Sequence, residues 1–301
     1  MKYVFVVNPR AGAVNVAGTV SDAIRDLPEA SDCEIYQTVA PGDATRFVKE
    51  RIALADGEEL RFIACGGDGT VNEVVSGAAL EKNVSVTCYP CGSGNDLVKS
   101  FGGAEKFTDI SALLRAPSKP IDLLKVGDRW ADNVVNFGFD TTVAITINKE
   151  REKTGHGNKN AYTKGVVTAL LTAMKNSFTV EADGERLNPD GKALLCTVAN
   201  GQYVGGSFKC APRAETDDGL IEVCLIKPIS RLRFVRILTP YTNGEHLDRE
   251  DMKDIVVYRR AKKVTVAAPK GFAYSLDGEI IYENYFTIEI VHEAVNFAVP
   301  E

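Results

Sequence analysis

The segment Ile63-Ala64-Cys65-Gly66-Gly67-Asp68-Gly69-Thr70-Val71-Asn72-Glu73 passes from an apolar strand through a glycine-rich turn with one carboxylate and straight into a helix. Glycines at 66, 67 and 69 permit positive φ and let a ligand approach the backbone without meeting a Cβ. Thr70 and Glu73 have the T-x-x-E spacing of a capping box, which predicts that the helix begins at this turn. The first N–H groups of such a helix, together with its dipole, form a ready site for phosphate. An aspartate beside phosphate is repelled unless a divalent cation sits between them. The turn therefore reads as a nucleotide-phosphate loop that works with magnesium.

Two more glycine-bearing loops follow apolar strands. In Asn8-Pro9-Arg10-Ala11-Gly12 the proline forbids strand continuation and Gly12 permits a tight turn that can face a phosphate. Pro90-Cys91-Gly92-Ser93-Gly94-Asn95-Asp96 leads into a helix, with a hydroxyl on Ser93 and a helix cap available from Asn95 or Asp96. Singly, each is ordinary turn punctuation. Two acidic turns come later. Glu215 with Asp217-Asp218-Gly219-Leu220 combines carboxylates and turn carbonyls, the hard-oxygen chemistry of Mg²⁺ or Ca²⁺, although Asp-Gly turns are common without metal. Ser275-Leu276-Asp277-Gly278-Glu279 reads as a hairpin turn, with Glu279 available as a general base. Arg259, Arg260, Lys262 and Lys263 fit a charged strand edge better than a membrane contact. The lysines between Lys149 and Lys164 flank a glycine loop and leave nucleotide cover, lipid headgroups and plain solvation equally open. Cys88 and Cys91 have C-x-x-C spacing but no second pair, so they read as strand-end cysteines.

These loops need a scaffold. Strand-like runs at 3–7, 33–38, 60–65 and 84–89 alternate with helical patterns near 14–27, 43–55, 70–80 and 95–115, and Asp43 suits a helix N-cap. Short apolar strands separated by helices predict a mainly parallel sheet covered on both faces. Such sheets gather ligands at the carboxyl ends of their strands, where all three glycine loops would lie. After about residue 128 strands dominate, at 129–137, 177–183, 193–200, 220–226, 255–258, 262–267, 272–276 and 285–291, which predicts an antiparallel sandwich. Helical patterns at 139–150 and 160–176 are joined by a glycine loop from Thr154 to Lys159, expected to be mobile.

A chain of 301 residues can hold two domains with proper cores, and its 45% apolar and 25% charged residues are those of an ordinary soluble protein. A net charge of −6 argues against nucleic acid as a partner. Seven scattered cysteines argue against a disulfide framework and for a reducing cytoplasm. No leader or membrane span is expected, so any lipid contact would be peripheral. Walker, dinucleotide-fingerprint, protein-kinase and H-E-x-x-H motifs are all missing from the sequence.

Taken together, Asn8-Pro9-x-x-Gly12, Gly66-Gly67-Asp68-Gly69-Thr70-x-Asn72-Glu73-Val74 with Gly77, and Gly92-x-Gly94-Asn95-Asp96 resemble the diacylglycerol-kinase catalytic family, in particular its soluble bacterial lipid kinases. The resemblance extends to Tyr36-Gln37-Thr38 before Gly42-Asp43-Ala44, to Asp122, to Asp218-Gly219 and to Asp277-Gly278-Glu279. It implies an ATP-binding α/β domain over 1–128, a three-layer parallel-sheet fold like that of NAD kinases. A lipid-binding antiparallel β-sandwich over 129–291 would follow, with a tail, 292–301, free to return to the first domain. ATP would lie on Asn8, Pro9, Arg10, Ala11, Gly12, Thr38, Gly66, Gly67, Asp68, Gly69, Thr70, Val71, Asn72, Glu73, Ser93, Asn95 and Asp96. Asp68 would serve the catalytic Mg²⁺. A second Mg²⁺ would take Asp218, Glu215 and Leu220, linked to the first region through Asp122. Glu279 matches the family's general base. Ala11 and Ala13 depart from the family pattern, which puts the grip on ATP in question. The implied activity is ATP-dependent phosphorylation of a lipid hydroxyl such as that of diacylglycerol, at or near the inner face of the membrane. A kinase of a soluble substrate such as NAD, a catalytically silent nucleotide- or lipid-binding regulator, and a homodimer all stay open.

Overall fold

The computed structural model describes residues 1–12, 15–154 and 159–301, with backbone only for 151–154 and 159–161. Ala13 and most of the 154–159 loop lie outside the described residues.

The first half is built from β1 (Lys2–Val7), α1 (Val16–Ile24), β2 (Cys33–Gln37), α2 (Asp43–Ala53), β3 (Leu60–Gly66), α3 (Asp68–Ala78) and β4 (Val84–Pro90), then a short α4 (Asp96–Lys99) and α5 (Ile110–Arg115). Every residue of β3 is buried, as its unbroken apolar run requires of a central parallel strand. Strands β2, β1, β3 and β4 are parallel and adjacent in that order. Val7 lies opposite Cys65, and Cys65 opposite Tyr89, so the loops after β1, β3 and β4 leave the sheet side by side. The helical pattern at 95–115 is broken rather than continuous. Gly102 and Gly103 take φ of 105° and 107°, a backbone that ends a helix and that side chains resist.

The chain continues with β5 (Ser118–Val126), β6 (Arg129–Ala131), β7 (Val134–Gly138), α6 (Phe139–Thr154), α7 (Lys159–Thr172), β8 (Asn176–Ser177), β9 (Thr179–Ala182), β10 (Glu185–Arg186), β11 (Lys192–Ala193), β12 (Leu195–Ala199) and β13 (Ile221–Ile226). Helix α8 (Arg231–Thr242) precedes β14 (Val256–Ala261), β15 (Lys263–Ala267), β16 (Ala273–Leu276), β17 (Glu279–Tyr282) and β18 (Tyr285–Ala298). The second half is antiparallel, as expected: β14, β13, β12, β7, β16 and β17 form a six-stranded sheet. One face of it packs on β9, β15 and the start of β18, around edge-to-face contacts of Phe137 with Phe178 and Phe286. Its other face is covered by α6, α7 and α8, through Phe139, Ala169 and Phe234.

Five features differ from the sequence reading. β5, β17 and α8 were not expected, and the run 129–137 is two strands joined at Asp132-Asn133. The largest difference is β18. Its first part pairs antiparallel with β15, and Asn296 and Phe297 pair parallel with β4, so one ten-stranded sheet runs through both halves. A bulge between Val291 and Val295, with Glu293 at φ 52°, lets one strand serve both. All seven cysteines are free, and no described helix is long and apolar enough to cross a membrane.

Candidate active site

The three glycine loops are in contact. Asn8 Nδ2 donates to Thr70 Oγ1 at 3.2 Å, and the Asn8 N–H bonds Cys65 O at 3.0 Å. Cys91 N–H bonds Gly66 O at 2.8 Å. Gly67 and Gly92 pack backbone to backbone: a Cβ on Gly92 would stand 2.5 Å from Gly67 Cα. A Cβ on Gly94 would stand 2.3 Å from Asp68 Oδ2, and one on Gly12 3.3 Å from Cys91 O. The glycines are thus needed for loop-on-loop packing as well as for ligand access. Pro9, Arg10, Gly12, Gly69 and Ser93 remain exposed around this junction. The Arg10 and Ala11 N–H groups fold back on Asn8, at 3.0 and 3.1 Å, and Thr38 is tied to Val7 O at 2.9 Å.

Asp68 is the first residue of α3, and its carboxylate faces the third loop. Its two oxygens accept N–H groups of Asn95 at 2.9 Å and Asp96 at 2.5 Å. Burial, and then the neighbouring Asp96 charge, hold the Asp68 carboxyl above the usual carboxylate range. Asp96 in turn accepts from Lys99 Nζ at 2.6 Å and from the Gly206 N–H at 2.9 Å. Gly206 belongs to a loop of the second half that closes over the third glycine loop. Only the Gly205-Gly206 pair hinted at it in the sequence.

Several expected helix caps are corrected. Thr70 and Glu73 form no capping box: Gly67 holds the N-cap position of α3 without a side-chain bond. Glu73 instead accepts the N–H groups of Gly42 at 2.9 Å and Ala44 at 3.0 Å, so it caps α2. Asp43 is therefore not the cap of α2. It lies inside the first turn and bonds Val39 N–H, Tyr36 and Arg46. Asn95 sits at the start of α4 without capping it, bonding Gly92 instead. Val71 is buried in the core. Asn72 donates to Asp277 Oδ2 at 2.9 Å and to Trp130 O at 3.0 Å.

That bond joins the two halves. Asp277 also accepts the N–H groups of Asp132 at 2.8 Å and Val134 at 2.7 Å, fastening the β16–β17 hairpin to the β6–β7 turn. Burial, opposed by these donors, pushes Asp277 up to about 6. Asp132 is buried and held far above its usual range by burial and then by Asp277. Neither role was read from sequence, because an Asp-Gly hairpin explains Asp277 locally. Glu279 is exposed, at the first position of β17 beyond this fastening.

Asp122 is fully buried and accepts from Gly219 N–H at 2.7 Å and Glu293 N–H at 2.8 Å, with His292 Nδ1 at 2.7 Å. It thereby ties the acidic turn to the β18 bulge. Asp218 accepts the Leu220 N–H at 2.9 Å on one oxygen and is paired with Arg260 on the other; Glu215 is exposed. No group of three or more His, Cys, Asp or Glu able to hold a metal occurs among the described residues.

Glycine loops gather at the carboxyl ends of the parallel strands, and the antiparallel half is fastened to α3 beside them through Asn72 and Asp277. Family comparisons make the class specific. Residues 2–126 match the diacylglycerol kinase catalytic domain, and residues 133–299 match the YegS C-terminal NAD kinase beta sandwich-like domain. The chain belongs to the diacylglycerol-kinase family in this two-domain form. It is similar to the diacylglycerol kinase of Bacillus subtilis (strain 168), 27% identical over 278 residues, covering 91% of this chain and 88% of that one. It is also similar to a protein of Alcanivorax borkumensis named Probable lipid kinase YegS-like, 26% identical, covering 86% and 84%. The fold matches the crystal structure of a diacylglycerol kinase from Bacillus anthracis str. Sterne, with a TM-score of 0.76 at 23% identity, over 99% of this chain and 96% of that one.

Proposed function

We propose that this member of a lipid-kinase family transfers the γ-phosphoryl group of ATP, with magnesium, to the hydroxyl of a diacylglycerol-like lipid. The observation that carries the reading is the mutual contact of the 8–12, 66–70 and 91–96 loops at one sheet edge, with Gly69 and the start of α3 open beside them. Backbone N–H groups there suit a triphosphate, and the helix dipole favours its charge. A cation fits Asp68: its carboxyl is burdened by burial and by Asp96, and each oxygen keeps a lone pair beyond its one N–H bond. Magnesium held there would neutralise phosphate charge as it moves toward the leaving oxygen. The Asp218 set does not fit a second ion in this arrangement, since Arg260 already supplies the compensating charge.

Asn72 and Asp277 fasten the hairpin of Glu279 to α3, and the Glu279 side chain is exposed at the start of β17. Glu279 takes the acceptor's hydroxyl proton as the new O–P bond forms and the bond to the β-phosphate oxygen breaks, releasing ADP. The names of the Bacillus subtilis and Alcanivorax borkumensis relatives support a lipid acceptor. Transfer of labelled phosphate from ATP to a lipid panel, run beside NAD⁺, tests this. Label in diacylglycerol is expected; label in NAD⁺ alone, or ATP binding with no acceptor labelled, overturns it.

A further inference from the structure

Resting on the lipid-kinase reading, we infer that Asp132 is a positioning residue for the transfer. It is a neutral carboxylic acid whose O–H donates to Asp277 and completes the fastening of the hairpin that carries Glu279, so that loss of one proton loosens it.

The hydrogen bonds of Asp277 leave a place for that proton. Asp277 Oδ2 accepts the Asp132 N–H at 2.8 Å, Asn72 Nδ2 at 2.9 Å and the Asn133 N–H at 3.4 Å. On Oδ1 the donor is the Val134 N–H, at 2.7 Å. A carboxylate has about four acceptor sites, two on each oxygen, so Oδ1 can take one donor more. The Asp132 carboxyl is 3% exposed and within hydrogen-bonding reach of Asp277. Among the described residues no Lys, Arg or His is paired with either group.

Two ionised carboxyls in contact, with no cation between them, repel strongly enough that one keeps its proton. The surroundings decide which. Four N–H groups favour the charge on Asp277, whereas Asp132 Oδ2 is buried with no hydrogen-bond partner among the described residues. Asn200 bonds the main-chain carbonyl of Asp132, at 3.0 Å, and not its side chain. Beyond hydrogen-bonding reach, Asp68 at the start of α3 and Cys88 in β4 act on Asp132, and neither brings positive charge. The charge therefore rests on Asp277 and the proton on Asp132. Burial, and then the Asp277 charge, hold Asp132 well above the usual carboxylate range.

This contact is where the β6–β7 turn meets the β16–β17 hairpin, and the Asp277 N–H also bonds Val134 O at 3.0 Å. Glu279 follows two residues later. When Asp132 ionises, two negative charges face each other across that junction. The hairpin moves off the turn and takes Glu279 with it. The glycine loops are held by other bonds, so the grip on ATP does not follow.

The test compares the full chain with Asp132→Asn and Asp132→Leu. Asparagine keeps a donor for Asp277 and cannot ionise. At pH 6.5 its kcat should lie within about twofold of the parent, and near pH 9 it should exceed the parent by about tenfold, since each pH unit beyond the loss of the proton costs about a decade. Asp132→Leu has neither donor nor charge. It should lower kcat about threefold or more at pH 6.5 and show the same insensitivity to alkali. ATP affinity should stay within about twofold in both.

Two readouts need no activity. The infrared carbonyl band of a protonated carboxyl should stand in the difference spectrum of parent against either variant at pH 7. Amide hydrogen exchange in residues 276–282, corrected for its intrinsic pH dependence, should quicken between pH 6.5 and 9 in the parent and stay level in Asp132→Asn. A difference spectrum without that band overturns the inference, as does an alkaline loss of kcat shared by the parent and Asp132→Asn. So does full activity of Asp132→Leu at pH 6.5, which would leave the O–H bond without a positioning role. If band and exchange behave as expected but no lipid is phosphorylated, the acid pair stands and the kinase reading falls. If lipid is phosphorylated with one pH profile in parent and Asp132→Asn, the kinase stands and the acid pair falls.

Discussion

Asp68→Asn separates the loop-stapling role of the Asp68 carboxylate from the cation-holding role proposed for it. In the structure it is a staple, accepting Asn95 N–H at 2.9 Å and Asp96 N–H at 2.5 Å. An asparagine has one acceptor oxygen, so its amide nitrogen would face one of these donors. An unmet buried donor costs about 1–3 kcal/mol. Against this, the wild-type carboxylate is disfavoured by burial and by Asp96, and a neutral amide relieves that. The two effects oppose each other, so the melting temperature should fall by only a few degrees, at about 2–4 °C per kcal/mol for a protein near this size. Turnover has no such compensation. On the proposed reading, losing the charge that would hold a cation on the phosphates should cost about a thousandfold, roughly 4 kcal/mol of transition-state stabilisation. Phosphate transfer to diacylglycerol in mixed micelles, measured beside a thermal melt, checks both numbers. Turnover within tenfold of the parent would refute the reasoning and leave Asp68 as a staple between two loops. A collapse of the melt together with turnover would show that the compensation was misjudged.

Glu279→Gln should lower kcat by about a hundredfold or more and leave ATP affinity unchanged, since the side chain has no partner among the phosphate loops; a change seen only in ATP binding would remove it as base. Asn72→Ala should cost about 1–3 kcal/mol by leaving Asp277 short of a donor, and should lower kcat more than ATP affinity, because it loosens the hairpin and not the glycine loops; an ATP-binding defect without a kcat loss would contradict this. Burial pushes Asp140 up to about 7, which makes the folded state favour its neutral form. That contribution is present below the unfolded value near 3.9 and lost as pH rises through about 7. Urea melts of the wild type should therefore lose up to about 3 kcal/mol between pH 5 and pH 8, at about 1.4 kcal/mol per unit, and Asp140→Asn should flatten that profile. Parallel profiles would rule Asp140 out as the source.

The parallel strands were legible because β3 is an uninterrupted apolar run that no half-exposed strand could carry. The glycine loops were legible too, because strand, glycine and helix start follow one another within a few residues. The capping box failed for a physical reason: Glu73 had a local partner in Thr70 by spacing, but a better use 31 residues away at Gly42. Asn72 likewise has its sequence neighbours in the second glycine loop but its hydrogen bonds in the second half, at Trp130 and Asp277. α8 was missed because Arg231, Arg233, Arg236 and Pro240 interrupt its apolar period, although Phe234, Ile237 and Tyr241 keep the buried face.

Sequence alone determined the order of strands and helices in the first half, the change to antiparallel strands in the second, and the three loops from which a phosphate site can be made. These depend on residues close together in the chain, where apolar period and glycine freedom act directly. Only the tertiary structure decided that β18 carries one sheet through both halves, that Asp68 staples two loops, and that Asn72 and Asp277 fasten the Glu279 hairpin in place. Those are pairings across up to 211 residues, fixed by which buried donors and acceptors meet once the core has closed.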